Sequence, residues 1–241
     1  MKKKFSKRFK KLLETSKEKN PLKIEDVISK VKKNCTTKFD ESIDVSFSLN
    51  LKQKKNEFNL RTIVNLPNGN GKKVRVAVLC EESKISEAKN SGAELYDSEK
   101  LINDITSGKI KFDKLVATPA MMKKMGKLGK VLGPKGLMPN PKLGTVTNDI
   151  KSTVKALKSG QIEIKNDEDG NLSASIGKKS FTDNKIKENF DSLLQVIYKE
   201  KPSGIKGNFV QSAFLTSTMG VSFKLKLANK LWWIKIKKKY T

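Results

Sequence analysis

The chain runs to 241 residues and sets 51 Lys and Arg against 25 Asp and Glu, a formal net charge of +26. A polyanion is the natural partner of such a chain, nucleic acid first and an anionic membrane second. Histidine is absent, which excludes His-based triads, His general bases and His metal ligands.

Cys35 and Cys80, the two cysteines, fit neither a zinc pattern nor a disulfide framework and read as buried thiols in a reducing compartment. Apolar residues make up 36% of the chain, too many for wholesale disorder. Arginine is confined to Arg8, Arg61 and Arg75, so the positive charge is almost all lysine. No apolar stretch approaches the roughly 18 residues that span a bilayer. The N-terminus has charges without an apolar signal core, so no secretory signal is expected.

In chain order, Phe5, Phe9, Leu12 and Leu13 mark one face of a basic amphipathic helix. A second helix is predicted after Pro21, with Ile24, Val27, Ile28 and Val31 on its apolar face. The period then changes to two. Ile43, Val45, Phe47 and Leu49 alternate with Asp44, Ser46, Ser48 and Asn50, a strand with one wet face. Residues 60–66 read as another strand, and Pro67-Asn68-Gly69-Asn70-Gly71 is a break. Residues 74–80 are nearly all apolar, as in a parallel strand covered on both faces. Helix (83–91), strand (93–96), helix capped by Ser98, strand (115–118) and a helix capped near Thr147 follow in alternation. That texture predicts a small parallel α/β domain.

The last segment returns to the earlier style. Ile162 and Ile164 lead into Asp167-Glu168-Asp169-Gly170-Asn171, a hairpin signal, and a strand over 172–176. Ile186, Phe190, Leu193, Leu194 and Ile197 line a helix, and residues 209–215 and 221–227 alternate as strands. The expected architecture is an α+β outer domain, split between 1–66 and 160–241, with an α/β domain inserted at 67–159. These three segments carry net charges of +10, +9 and +7, so each can face a polyanion.

A dinucleotide enzyme is disfavoured. The strand over 74–80 runs into Glu81-Glu82-Ser83, two carboxylates where a pyrophosphate would sit, and Gly71-Lys72-Lys73 lacks the rest of a P-loop. Residues 117–147 interleave five glycines, four prolines and dispersed lysines, either a backbone cradle for phosphates or a rigid crossover loop. Thr216-Ser217-Thr218-Met219-Gly220 reads either as a hydroxyl-rich nucleic-acid contact or as a tight turn that satisfies its own backbone. Phe39 is open to two readings as well, a stacking platform or a core aromatic.

The run Leu132-Gly133-Pro134-Lys135-Gly136-Leu137-Met138-Pro139-Asn140-Pro141-Lys142, with Gly144-Thr145-Val146-Thr147, closely resembles the signature of the bacterial-type ribosomal protein L-one family. Lys38-Phe39-Asp40-Glu41, Ala117-Thr118-Pro119, Gly177-Lys178 and Ser217-Thr218-Met219-Gly220 resemble the same family, in order, over about residues 6–226. The resemblance implies two domains, the inserted one Rossmann-like and the outer one a split β-α-β unit that binds the mobile rRNA stalk of the large ribosomal subunit. It also implies help in releasing deacylated tRNA from the exit site and repression of the protein's own mRNA. It implies no enzyme activity, no cofactor and no metal, and a protein that is monomeric off the ribosome. The family's RNA contacts carry over to Lys38, Phe39, Ser42, Asp167, Ser212, Thr218, Met219 and Gly220. Ser42 stands where the family usually has Thr, and keeps the hydroxyl. The expected location is a ribosome of the bacterial cytoplasm or of a mitochondrion. The rival readings are an RNA-modifying enzyme and a peripheral membrane protein. The second rests on the termini, where Leu231-Trp232-Trp233-Ile234 is followed by lysines.

Overall fold

A computed structural model describes residues 5–16, 20–50, 60–97, 99–109, 111–202 and 207–227. The Trp/Lys tail and the Ser98 cap lie outside the described residues. In chain order the elements are helices α1 (Lys7–Thr15) and α2 (Ile24–Asn34), strands β1 (Ser42–Leu49), β2 (Arg61–Asn65) and β3 (Val76–Leu79), α3 (Ile85–Asn90), β4 (Leu95–Asp97), α4 (Glu99–Thr106) and β5 (Lys114–Ala117). The short helices α5 (Met122–Met125) and α6 (Gly129–Leu132) follow, then α7 (Ile150–Ser159), β6 (Gln161–Lys165), β7 (Asn171–Lys178), α8 (Asp183–Lys199), β8 (Val210–Ser217) and β9 (Phe223–Lys224). The chain divides into two compact units, Met1–Arg61 with Ile164–Thr241, and Thr62–Glu163. The division falls within β2 and β6, which pair with each other, rather than at the Gly/Pro breaks beside them.

The first unit is built on a four-stranded sheet in the order β7-β1-β8-β9, with β1 antiparallel to both β7 and β8 and β9 antiparallel to β8. The period-two pattern of β1 buries Ile43, Val45, Phe47 and Leu49 and leaves the intervening side chains half-buried. Helix α2 contributes Val27, Ile28 and Val31 to the core, and α8 contributes Ile186, Phe190, Leu193 and Ile197. Phe47 and Phe190 stack at 5.9 Å between ring centroids. Helix α1 is capped by the Ser6 hydroxyl, which accepts from the Phe9 N–H. Of its apolar face only Leu12 is fully buried, and Phe5 is exposed against Phe9. The strand expected over 221–227 shrinks to Phe223–Lys224. Its alternation of buried and exposed side chains persists, and Leu225 bridges to Leu22 and donates its N–H to the Ala213 carbonyl at 2.8 Å, outside the two-residue strand.

The second unit holds a parallel sheet in the order β4-β3-β5. Both faces are covered, which is why β3 reads as a continuous apolar run. Ala77, Leu79, Leu115 and Ala117 meet Leu101, Ile105, Met121, Met125, Leu128 and Leu132 on one face. Val76, Val78, Cys80 and Val116 meet Ala88, Ile150, Val154 and Leu157 on the other. The Gly/Pro/Lys stretch is therefore a structural crossover, folded as short helical turns that put methionine and leucine inward and lysine outward. Helix α7 is capped by Asp149 rather than Thr147. The Asp149 carboxylate accepts from the Ser152 N–H, while the Thr147 hydroxyl accepts from the Asp149 N–H. Gly160 ends α7 at φ +110°, and a Cβ there would lie 2.3 Å from Gly69 Cα, so two glycines let two chain segments touch.

Candidate nucleic-acid interface

Two turns at one end of the antiparallel sheet carry six of the eight residues named from the sequence. Lys38 and Phe39 sit in the turn between α2 and β1, Ser42 opens β1, and Thr218, Met219 and Gly220 form the turn after β8. The pairing of Ile43 with Ser217 brings the two turns side by side. Phe39 is 52% exposed and Met219 48% exposed. The ring is thus a presented side chain and not a core aromatic. Large apolar groups left this open on two neighbouring turns make a candidate contact surface.

The turns are held by polar bonds, not by the presented side chains. Asp40 accepts from the Ser180 N–H at 3.1 Å and hydroxyl at 2.8 Å, and Lys179 Nζ donates to the Cys35 carbonyl at 2.8 Å. The Thr218 hydroxyl accepts from the Ser42 N–H at 3.0 Å and lies 3.4 Å from the Ser42 carbonyl, to which the Thr218 N–H also donates at 3.1 Å. Much of the bonding capacity of that hydroxyl is therefore used inside the protein, and the tight-turn reading holds for it. The Gly220 N–H closes the turn onto the Ser217 carbonyl at 3.1 Å. A Cβ on Gly220 would sit 2.3 Å from Ser217 Oγ, so any side chain there would have to turn that hydroxyl aside.

Asp167 and Ser212 lie at the other end of the same sheet. Ser212 pairs with Ser48, and Ser48 also pairs with Asn171, the residue that closes the hairpin of Asp167. Six residues of strand separate Ser42 from Ser48, roughly 20 Å. The Asp167 carboxylate accepts from the Asn171 N–H at 2.6 Å and side-chain amide at 3.1 Å. Those bonds hold its carboxyl below the usual carboxylate range.

The open face of the sheet joins the two ends. Asp44, Ser46, Ser48, Ser173, Ser175, Ser212, Phe214 and Thr216 all stand on it, alternating with the buried set and none of them fully buried. The Ser46 and Ser173 hydroxyls are hydrogen-bonded across the strands at 3.0 Å. A row of hydroxyls flanked by exposed apolar groups offers hydrogen bonds to ribose hydroxyls and phosphate oxygens. The sequence marked Asp44, Ser46 and Ser48 as the wet face of β1, but the strands that extend that face beside it, β7 and β8, are joined to β1 only by long-range pairing.

Two further residues were missed. Glu41 is fully buried and accepts from Thr37 Oγ1 at 2.8 Å and from the Met219 N–H at 3.1 Å. Arg8 on α1 donates to the Met219 carbonyl at 2.9 Å and to Thr36 Oγ1 at 3.1 Å. Both had signals in the sequence. Glu41 has the same parity as Ile43, Val45, Phe47 and Leu49, the inward set, and Arg8 is one of three arginines in a lysine-rich chain.

Fold and surface together define a class: a basic two-unit α/β protein whose antiparallel sheet presents a hydroxyl-rich face with two braced turns at one end. Comparison with known proteins makes the class specific. The profile of the Ribosomal protein L1p/L10e family matches residues 31–221. The large ribosomal subunit protein uL1 of Pelagibacter ubique is 56% identical over 225 residues, covering 93% of this chain and 98% of its own length. The uL1 protein of Fervidobacterium nodosum is 42% identical and covers 93% of this chain and 96% of its own length. The uL1c protein of Phaeodactylum tricornutum is 45% identical and covers 93% and 97%. The chain belongs to the ribosomal protein L1p/L10e family, a family of structural ribosomal proteins and not of enzymes. Among the described residues no helix is long and apolar enough to cross a membrane.

Proposed function

We propose that this protein is a structural constituent of the large ribosomal subunit that binds the mobile rRNA stalk through its antiparallel-sheet unit. The observation that carries the reading is the pair of exposed apolar side chains, Phe39 and Met219, on adjacent braced turns at the edge of a hydroxyl-bearing sheet face. RNA with unstacked bases and 2′-hydroxyls is the ligand whose chemistry matches both parts. Lys38, Phe39, Ser42, Thr218, Met219 and Gly220 contact one end of the RNA footprint and Ser212 and Asp167 the other. The stalk-bound protein helps deacylated tRNA to leave the exit site. There the exposed lysines of the crossover, Lys123, Lys124, Lys127 and Lys130 among them, supply phosphate contacts. Off the ribosome it is a monomer and represses its own mRNA through the same sheet surface, since one surface fits two RNAs of like shape.

The test is competition between RNAs. The full-length protein is titrated with a stalk fragment of large-subunit rRNA and with an unrelated rRNA hairpin of equal length, at one salt concentration. Preference for the stalk on the order of 10²-fold or more is expected of a specific site. Equal affinity for both RNAs would reduce the protein to a charged binder and refute the reading.

A further inference from the structure

Two buried or half-buried charges bracket the backbone of one residue of the proposed RNA surface, Met219, and neither belongs to the residue set carried by that proposal. The Glu41 carboxylate has no exposed surface. Its Oε1 accepts from the Thr37 hydroxyl at 2.8 Å and the Thr37 N–H at 3.4 Å, and its Oε2 accepts from the Met219 N–H at 3.1 Å. One carboxylate thus joins the turn that presents Phe39 to the turn that presents Met219. Arg8 does the same with the opposite charge. One guanidinium nitrogen donates to Thr36 Oγ1 and another to the Met219 carbonyl. Thr36 belongs to the Phe39 turn, so each charge spans the same two turns by a separate route.

We infer that Glu41 and Arg8 are positioning residues for RNA recognition: they grip the N–H and the carbonyl of Met219 and set the two turns in their binding geometry before RNA arrives. The inference rests on the reading of this surface as the RNA site. A buried carboxylate without hydrogen bonds is strongly unfavourable, so its location between the turns is informative. Burial acts to raise the Glu41 pKa, but the Ser217 hydroxyl beside it and the Thr37 and Met219 donors outweigh that, and the carboxyl is held below its ordinary value. The group remains an acceptor at any pH where RNA binding is measured. Arg8 fits its place because separate guanidinium nitrogens reach the two acceptors on the two turns in a fixed geometry. A lysine, the cation this chain otherwise uses, would have to bring both contacts to one nitrogen and loses that preset spacing. The gain is preorganisation. Turns already fixed lose less conformational freedom on binding, so more of the contact energy appears as affinity.

The experiment uses the full chain and a stalk fragment of large-subunit rRNA. Glu41→Gln keeps the size but turns an amide donor or a weaker acceptor toward the Met219 N–H. Arg8→Lys keeps the charge but loses the fork. Each is expected to weaken stalk binding by about tenfold, the scale of one lost charge-assisted hydrogen bond. Each should also speed hydrogen exchange at the Met219 amide in the free protein. The decisive comparison repeats both changes in a Phe39→Ala/Met219→Ala background, where the side chains to be positioned are gone. A positioning role predicts that Glu41→Gln and Arg8→Lys then change affinity less than about threefold. Equal losses in both backgrounds, or parent-like binding by both single variants while Phe39→Ala/Met219→Ala binds weakly, would overturn the inference and leave the RNA surface intact. Parent-like binding by Phe39→Ala/Met219→Ala overturns the surface itself, and the inference with it. Should Glu41→Gln fail to fold, Arg8→Lys, a change on the outer side of the turns, carries the test alone.

Discussion

Phe39→Ala separates recognition from charge, because it removes no charged group and no hydrogen bond that holds its turn. The ring is 52% exposed. On a scale of about 200 Å² for an aromatic side chain, RNA has roughly 100 Å² left to cover. At about 25 cal/mol per Å² that sets a ceiling near 2.5 kcal/mol, a fall in affinity of up to about 70-fold. The expected cost is about 1–2 kcal/mol, the lower part of the range measured for base–aromatic stacking. The turn itself stays braced by Asp40, Ser180, Thr37 and Glu41. The half of the ring already in contact with protein limits the loss of stability to about 2 kcal/mol, below that of a fully buried Phe. Fluorescence anisotropy with a labelled stalk rRNA fragment reads the affinity, and thermal denaturation of the same protein reads the stability. Phe39→Trp, which keeps a face for stacking, should bind within a few-fold of the parent. A folded Phe39→Ala protein that binds within twofold of the parent would refute the assignment of this ring to RNA.

Other consequences are equally checkable. Gly220→Val should weaken stalk binding more than Met219→Ala does, because its Cβ falls 2.3 Å from Ser217 Oγ and must push that side chain aside while its branches add bulk to the presented turn; amide chemical-shift changes confined to residues near the turn would report the adjustment, and unchanged shifts would contradict it. If about five phosphates are neutralised, log K should fall with log[salt] at a slope of about −3.5 to −4.5, and a slope near zero would exclude lysine–phosphate contacts. Burial pushes the Asp191 carboxyl up to about 6, against the pull of Lys187 and with help from Glu188. Its folded pKa lies above its unfolded one, so the stability it contributes is complete below about pH 4 and lost as pH rises through 6. Asp191→Asn should therefore stabilise the protein by about 1–2 kcal/mol at pH 7.5 and hardly at all at pH 4, and equal denaturation midpoints at pH 7.5 would show that the carboxylate is not desolvated.

The parts of the fold legible in the sequence are those where one periodicity governs a whole element. Alternation over 43–49 gave β1 its buried face, and the apolar run over 74–80 announced a strand covered on both sides, because burial on one face or two leaves a direct mark on residue choice. The cap of α7 was misplaced by two residues because Thr147 and Asp149 are both good capping residues. The local contest is settled by which oxygen reaches the Ser152 N–H. The strand over 221–227 was overextended because alternation reports burial, and beyond Phe223–Lys224 the backbone keeps isolated bonds to Ala213 and Leu22 without a continuous ladder.

For the site, residue type alone picked out Phe39 and the Thr-Met-Gly turn but left their exposure open. A Phe beside a strand is equally at home in a core, and only the long-range pairing of Ile43 with Ser217 places these turns together. The same pairing explains why Asp167 and Ser212 stand about 20 Å from the rest, a separation set by strand length that no motif records. Glu41 and Arg8 carried signals of residue type, inward parity and a rare arginine, but not of partner: each bonds a backbone group of Met219, 178 and 211 residues away in the chain, and backbone partners carry no sequence signature.

The central claim, that the hydroxyl-bearing sheet face and its two turns hold the large-subunit rRNA stalk, is tested most directly by ultraviolet crosslinking in living cells. The crosslinked RNA would be sequenced and the crosslinked residues mapped by mass spectrometry. The account predicts RNA reads concentrated in the stalk of large-subunit rRNA and peptide crosslinks at Phe39 and at residues 218–220, both lost in the Phe39→Ala/Met219→Ala protein. Reads spread evenly over cellular RNA, or stalk crosslinks that map to the lysines of the crossover and persist in that variant, would contradict it.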